Sequence, residues 1–276
     1  MPRGFVLCVL IAVVLIPAAP GSDLAFATRP LVIATSPAVK DPIAALGNAF
    51  ETAHPDVRVQ VAVDTSLDLR RTIAGMENRG RSFIGSGPIH LVAPGGDELI
   101  TRLEQKYYVL PETKALYATE QLVLVAPESL SEAPESFEAL EKLDQIRIAV
   151  ANETTRLGVE TDRVLSSLRL KGKRLDMASD QDGILDHLLS GEAHVGIMFG
   201  HQAARFQDRI RILATAPTHL YKPVAHSLAM ERYCPDRKLC EEFLRFVTSP
   251  EAQGLLKRLG YGPGKVPENP IRVPVP

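Results

Sequence analysis

Twice near its amino end the chain makes the same move: a strand, then small hydroxyl residues, then a helix. In LVIATSPAVKDPIAALGNAF (31–50), an apolar run at 31–33 meets Thr35 and Ser36. Ile43, Leu46 and Phe50 then recur at helical spacing, with Ala53 extending that face, until His54-Pro55-Asp56 ends the helix. Val57, Val59, Val61 and Val63 alternate with Arg58, Gln60 and Ala62, the period of a strand. That strand runs out at Asp64-Thr65-Ser66, and Leu69, Ile73 and Met76 mark a second helix. Strands alternating with helices confine the chain to a parallel-rich α/β sheet, or to two of them. In such sheets ligands sit outside the carboxyl ends of the strands, where the helices begin. Ser36 and Ser66 fall there, and two readings of them stand side by side. Ser and Thr cap helices by accepting bonds from amides that lack intrahelical partners. Those same amides, with the positive end of the helix dipole, also make an anion site to which a hydroxyl can donate.

The alternation continues along the chain. NRGRSFIGSGPIH (78–90) reads as a glycine-rich loop and 89–93 as a short strand. Pro94-Gly95-Gly96-Asp97 then turns into a helix bearing Leu99, Ile100 and Leu103. QLVLVAP (121–127) and QIRIAVA (145–151) are strands by composition, joined by a loop and a short helix. ANETTRLG (151–158) is a polar connection into a helix with Val159, Val164, Leu165 and Leu168. A helix over 182–190 precedes the strand HVGIMFG (194–200). RIRILA (209–214), PVAHSLAM (223–230) and a helix over 240–260, with a break expected at Ser249-Pro250, complete the pattern. GPGKVPENPIRVPVP, with five prolines, excludes a helix at the end.

Composition matters here for what it excludes. MPRGFVLCVLIAVVLIPAAPGSDLAFA has a basic start at Arg3, an apolar run over 5–16 and Ala25-Phe26-Ala27 as a small-residue cleavage site. This is the pattern of a cleavable signal peptide over 1–27, with Ala18-Ala19-Pro20 as an earlier cut. Cys8 lies inside the apolar run, so a lipid anchor is not expected. Of the 276 residues about 250 then remain, enough for one large or two medium domains. A formal net charge of −2, without a basic stripe interleaved with aromatics, argues against nucleic acid. No later segment is long and apolar enough to cross a membrane. Cys234 and Cys240 remain, and export to an oxidising space favours a disulfide over free thiols; with no His pair nearby, a zinc site is incomplete.

Enzyme motifs are missing. There is no Gly-x-Ser-x-Gly elbow, no P-loop and no His-Glu-x-x-His. His187, His194 and His201 are evenly spaced, but the strand expected over 195–199 interrupts any helical face. Ser36 has no base assigned to it by the sequence. The chain reads as a binding protein.

Five segments in their order carry a resemblance to a known family. They are IATS (33–36), TSLDLRRTI (65–73), QLVLVAP, GEAHVGIMFGHQA (191–203) and FLRFVTSPEAQGLLKRLGY (243–261). Together, from about Leu31 to Tyr261, they resemble the periplasmic molybdate-binding proteins of ABC transporters, of which this chain would be a divergent member. These lie within the type II solute-binding proteins. The resemblance implies an α/β fold of two lobes, each a mixed sheet flanked by helices, with the ligand cleft between them. Lobe one would comprise 28–119 plus 223–262, lobe two 120–222, and a proline-rich tail 263–276. It further implies a tetrahedral oxyanion, molybdate or tungstate, held by serine hydroxyls and backbone amides without a full counter-charge.

Carried over by position, the hydroxyl donors are Ser36 and Ser66. The amide donors lie near Leu157 and Gln181, and Phe199 occupies the place of the family's ligand tyrosine. Thr35, Thr65, Gly95 and His201 are secondary candidates. No cofactor and no metal beyond the oxyanion are implied. The expected partner of a monomer in the periplasm is the permease of an ABC transporter. Converging neutral donors offset the cost of desolvating a dianion, and a pocket without acceptors disfavours monohydrogen phosphate.

The sequence departs from the family at Phe199, which lacks a hydroxyl, and His201 either donates in its stead or is a solvated loop histidine. Pro88-Ile89-His90 replaces an Ala-Asp stretch, and Arg156 stands where a proline is common. Asp68, close to Ser66, is either an acceptor pointing to phosphate or a helix cap. The alternative readings are a protein retuned to sulfate, phosphate or another small anion, and a sensory receptor module of the same fold.

Overall fold

The computed structural model describes residues 28–64 and 88–264, apart from 144, 171, 173 and 179. Ser66, Thr65, Asp68, the signal segment and most of the tail therefore lie outside the described residues. In chain order the first elements are β1 (Arg29–Thr35), α1 (Lys40–Ala53), β2 (Val57–Val63), β3 (Leu91–Ala93), α2 (Asp97–Gln105) and β4 (Ala115–Glu120). Next come β5 (Leu122–Pro127), β6 (Ile148–Ala151), α3 (Arg156–Ser167), β7 (Arg174–Ala178), α4 (Gln181–Leu189) and β8 (Val195–Phe199). The chain closes with α5 (Gly200–Ala203), β9 (Ile210–Thr215), β10 (Val224–Met230), α6 (Arg237–Val247), α7 (Pro250–Arg258) and β11 (Gly262–Pro263).

These strands form two mixed sheets, ordered β11-β4-β10-β3-β1-β2 and β7-β6-β8-β5-β9. In the first, β1 pairs in parallel with β2 and β3, while β10 runs antiparallel to β3 and β4. In the second, β6 pairs in parallel with β7 and β8, while β5 runs antiparallel to β8 and β9. This is the expected α/β class, with helices packed on both sheets. β1 is buried without a break from Leu31 to Thr35, which is why LVIAT reads as a continuous apolar run rather than an alternation. β2 lies at the sheet's end, where its alternation fails: Ala62 turns inward and Val63 is exposed. Ala53 is exposed as well, because the His54 ring packs on Phe50 with centroids 4.1 Å apart.

Each sheet has its own core. Phe50, Leu46, Tyr117 and Phe243 fill one, and Phe137, Leu124, Ile148 and Val164 fill another. The helix expected over 240–260 is two helices, since Ser249 accepts from the Ala252 amide at 3.3 Å and Pro250 begins α7. Cys234 and Cys240 are joined in a disulfide, tying the turn after β10 to the first turns of α6.

The chain passes between the sheets at Gln121 and again after β9. There the Gly200 amide donates to the Gln121 carbonyl at 2.8 Å, and the Leu122 amide to the Tyr221 hydroxyl at 3.0 Å. Gly200 and Gly260 touch backbone to backbone: a Cβ on Gly200 would sit 2.5 Å from the Gly260 carbonyl oxygen. Only glycines allow the two bodies to approach so closely at this seam.

Candidate functional site

Both sheets contain a topological switch. The chain leaves β1 for β2 on one side and then returns to β3 on the other; it leaves β6 for β7 and returns to β8. A crevice opens at the carboxyl ends of the strands where the order reverses. Ser36 follows β1 and Gly95 follows β3 at the first switch. At the second, Leu157 lies in the first turn of α3 after β6, Gln181 opens α4 after β7, and Phe199 ends β8.

In the first half, Ser36 is 2 % exposed, and its hydroxyl makes no hydrogen bond among the described residues, not even a cap to the short helical turn that follows it. The capping reading of Ser36 is thereby corrected. Pro37 has no N–H to offer, and the Ser36 backbone carbonyl accepts from Val39 instead, at 3.2 Å. The hydroxyl faces Gly95, where an added Cβ would lie 2.6 Å from Ser36 Oγ. Gly95 (φ +73°) and Gly96 (φ +112°) are both in the left-handed region, so this turn demands glycine on backbone grounds as well as space. Gly96 leads into α2 without a side-chain cap, at a helix start whose first-turn amides have no intrahelical acceptor. Thr35 is spent differently: its hydroxyl donates to the Ala93 carbonyl at 2.8 Å and staples β1 to β3.

The second half is built from backbone. Asn152 accepts from the Thr155 amide and hydroxyl at 2.9 and 2.7 Å, and Thr155 Oγ1 in turn caps α3 through the Gly158 amide at 3.0 Å. Leu157 is buried in the first turn, where its amide has no intrahelical acceptor. Asp180 caps α4 through Gly183, and Gln181 is the first residue of that helix. Gln202, unread from the sequence, joins the remaining pieces: its Oε1 accepts from the Phe199 amide at 3.2 Å and its Nε2 donates to Gln181 Oε1 at 3.3 Å. The available signal was a glutamine three residues past a strand end, at a helix start.

Between the halves lies a buried aromatic and acidic cluster. The His201 ring stacks on Tyr261 at 4.9 Å with planes 6° apart, and its Nδ1 stands 3.8 Å from Glu120 Oε1. His226 Nε2 is 3.1 Å from the same oxygen. Burial holds the His201 imidazole below its ordinary pKa, with Glu120 opposing, and the same burial pushes Tyr261 and Tyr117 upward. His201 is therefore a packed residue of the seam between the sheets, not a solvated loop histidine. His90, in the replaced Pro88-Ile89-His90 stretch, is also structural: its Nδ1 accepts from the Val32 amide at 3.1 Å, and burial lowers its pKa.

The site thus joins Ser36 with Gly95, and Gln181 with Phe199 through Gln202. Among the described residues no cluster of His, Cys, Asp and Glu is arranged to hold a metal ion, and no helix is long and apolar enough to span a membrane. A groove of about 910 Å³ lies elsewhere, between Glu112–Leu116 and α6, and includes none of the strand-end residues.

The family of bacterial extracellular solute-binding proteins matches this chain over residues 31–262. Among solved structures, the substrate-binding domain of a protein assigned as a molybdenum ABC transporter from Clostridium difficile is 20 % identical, with a TM-score of 0.74. The match covers 86 % of this chain and 99 % of that one. The periplasmic molybdate-binding protein of Azotobacter vinelandii is 18 % identical with a TM-score of 0.54, over 84 % of this chain and 98 % of that one. The sulfate-binding protein SubI of Mycobacterium tuberculosis H37Rv is 14 % identical, also at 0.54, over 85 % and 87 %. At such identities these likenesses show a shared two-lobed fold. No curated protein matches the sequence.

Proposed function

The chain belongs to the bacterial extracellular solute-binding proteins, and from that premise we propose that it captures a small tetrahedral oxyanion, molybdate or tungstate foremost, and delivers it to an ABC-transporter permease. The carrying observation is the Ser36 hydroxyl, which is buried, unpartnered and set at a switch point against a left-handed glycine. A buried hydroxyl without a partner costs about 1–3 kcal/mol, a cost offset when an anion accepts its proton. Ser66 and Thr65, which follow β2 in the sequence, would add donors by the family resemblance.

Leu157 and Gln181 would offer first-turn amides from the opposite lobe, at the positive ends of two helix dipoles. The lobes, 28–119 with 223–262 and 120–222, would close because only the closed form brings both donor sets onto one anion. Export would place the monomer in the periplasm, the closed complex being the form that docks on the permease. The binding step needs no cofactor and no catalysis.

Sulfate is the second reading. Phe199 withholds one hydroxyl donor from the second half and leaves the choice among anions open, and a sulfate-binding protein shares the fold. Calorimetric and thermal-shift titration with molybdate, tungstate, sulfate and phosphate separates the readings. Tight molybdate or tungstate binding without a sulfate response is expected, weakened about 10- to 100-fold by Ser36→Ala if a charge-assisted bond is lost. A response to sulfate alone would replace molybdate by the second reading, and silence with all four would overturn both.

A further inference from the structure

Arg156 is the first residue of α3, at the end of a helix where the dipole disfavours a cation. The helix dipole therefore gives no reason for it. The reason lies one turn further on, at Glu160, whose side chain is 1 % exposed. Both of its oxygens are held by Arg163 Nη1, at 2.9 and 2.8 Å, and Oε1 also stands 3.2 Å from Arg156 Nε. This buried carboxylate fixes the Arg156 guanidinium by one edge. Its Nη2 then stands 3.9 Å from Glu98 Oε1, in the first turn of α2.

α2 packs on the first sheet and follows directly from Gly95 and Gly96; α3 packs on the second and begins beside Leu157. The two charges thus face each other from opposite lobes, at the helix starts that frame the crevice. Resting on the oxyanion reading above, we propose that Arg156 and Glu98 form a clasp across the cleft that retains the bound anion. Glu98 alone would repel an anion; paired with Arg156 it becomes part of the closed state. A contact made only on closure slows opening, so it acts on the rate of release and leaves capture unchanged.

The test uses the full mature chain with fluorophores on Gln105→Cys and Ser167→Cys, at the far ends of α2 and α3, the native disulfide being kept oxidised. Energy transfer follows closure as molybdate is added and chased. Glu98→Gln and Arg156→Gln should each speed molybdate release about two- to fivefold, the range of an exposed pair, with capture unchanged. The double variant should be no faster than the faster single one, and added salt should shrink the difference. Slower release from Glu98→Gln would overturn the clasp in favour of simple repulsion. A far larger loss in Arg156→Gln than in Glu98→Gln would also overturn it, because the guanidinium would then be touching the anion itself. Glu98 is exposed, so its variant reads the clasp even if Arg156→Gln disturbs Glu160. Should no anion bind the parent chain, the oxyanion reading fails separately. The clasp is then judged without ligand: lower transfer in the variants supports it, and unchanged transfer overturns it.

Discussion

The two halves of the proposed crevice are built from different materials. The β1/β3 half presents a side chain: Ser36 Oγ, buried and unpartnered, in space that Gly95 leaves open. The β6/β7/β8 half presents backbone, and its polar side chains are already engaged: Thr155 accepts from the Gly158 amide, and Gln202 accepts from the Phe199 amide and donates to the Gln181 side chain. A site half made of side chains can be retuned by substitution without touching the fold. A half made of amides can be altered only by moving the helices that carry them. Changes in the first half should therefore appear in affinity, and changes in the second half in stability.

The sharpest break in that comparison is Gly158→Ala. A methyl there would gain about 1 kcal/mol of helix propensity. It would also lie 2.0 Å from the Asn152 carbonyl oxygen, against backbone that cannot yield cheaply. The collision dominates, and a net loss of about 2–3 kcal/mol, or roughly 5–10 °C in melting temperature, is expected. Ser36→Ala should do the reverse, weakening anion binding as stated above while the ligand-free melting temperature holds or rises by a few degrees, because an unpartnered buried hydroxyl is removed. A large fall in that temperature would mean that the hydroxyl has a structural partner after all. Phe199→Tyr is the smaller, sharpening test, because it offers the second half a hydroxyl. Tighter molybdate binding, by up to about 10-fold, is expected if the Gln202 network leaves that ring edge facing the anion. An unchanged affinity would show that this half relies on amides alone.

How much of this was legible in the sequence follows the same division. The first half was readable because its code is local: a hydroxyl after an apolar strand, and a double glycine before a helix. What stayed hidden there was the hydroxyl's orientation, which depends on Gly95 arriving from a strand far along the chain. In the second half the helix starts were readable, whereas the Gln202 bridge and the His201–Tyr261 stack were not. Each joins residues whose meeting is decided by the packing of the sheets. β4 escaped for a related reason. Tyr117, Ala118, Thr119 and Glu120 are all buried in succession, so ALYATE shows neither alternation nor an apolar run. The α/β class itself was plain, since it rests on many local periods that agree.

The smallest expected effect compares the halves through two histidines. His90 lies at the approach to β3 and His201 just past β8, and burial lowers the pKa of both. A depressed imidazole pKa means that below about pH 6.5 the unfolded chain takes up protons that the folded chain refuses. Stability is therefore full above that pH and declines as pH falls toward the folded values, visible as a falling melting temperature between pH 7.5 and pH 5. The two positions should then part company. In His90→Leu the Val32 amide loses its acceptor, so that variant should melt lower at every pH. In His201→Gln the Nδ1 position gives up no hydrogen bond to the described residues. It should keep much of the melting temperature at pH 7.5 and flatten the acid side of the profile. If His201→Gln left the profile as steep as before, the seam histidine would carry none of the acid sensitivity, and the burden would pass to His90.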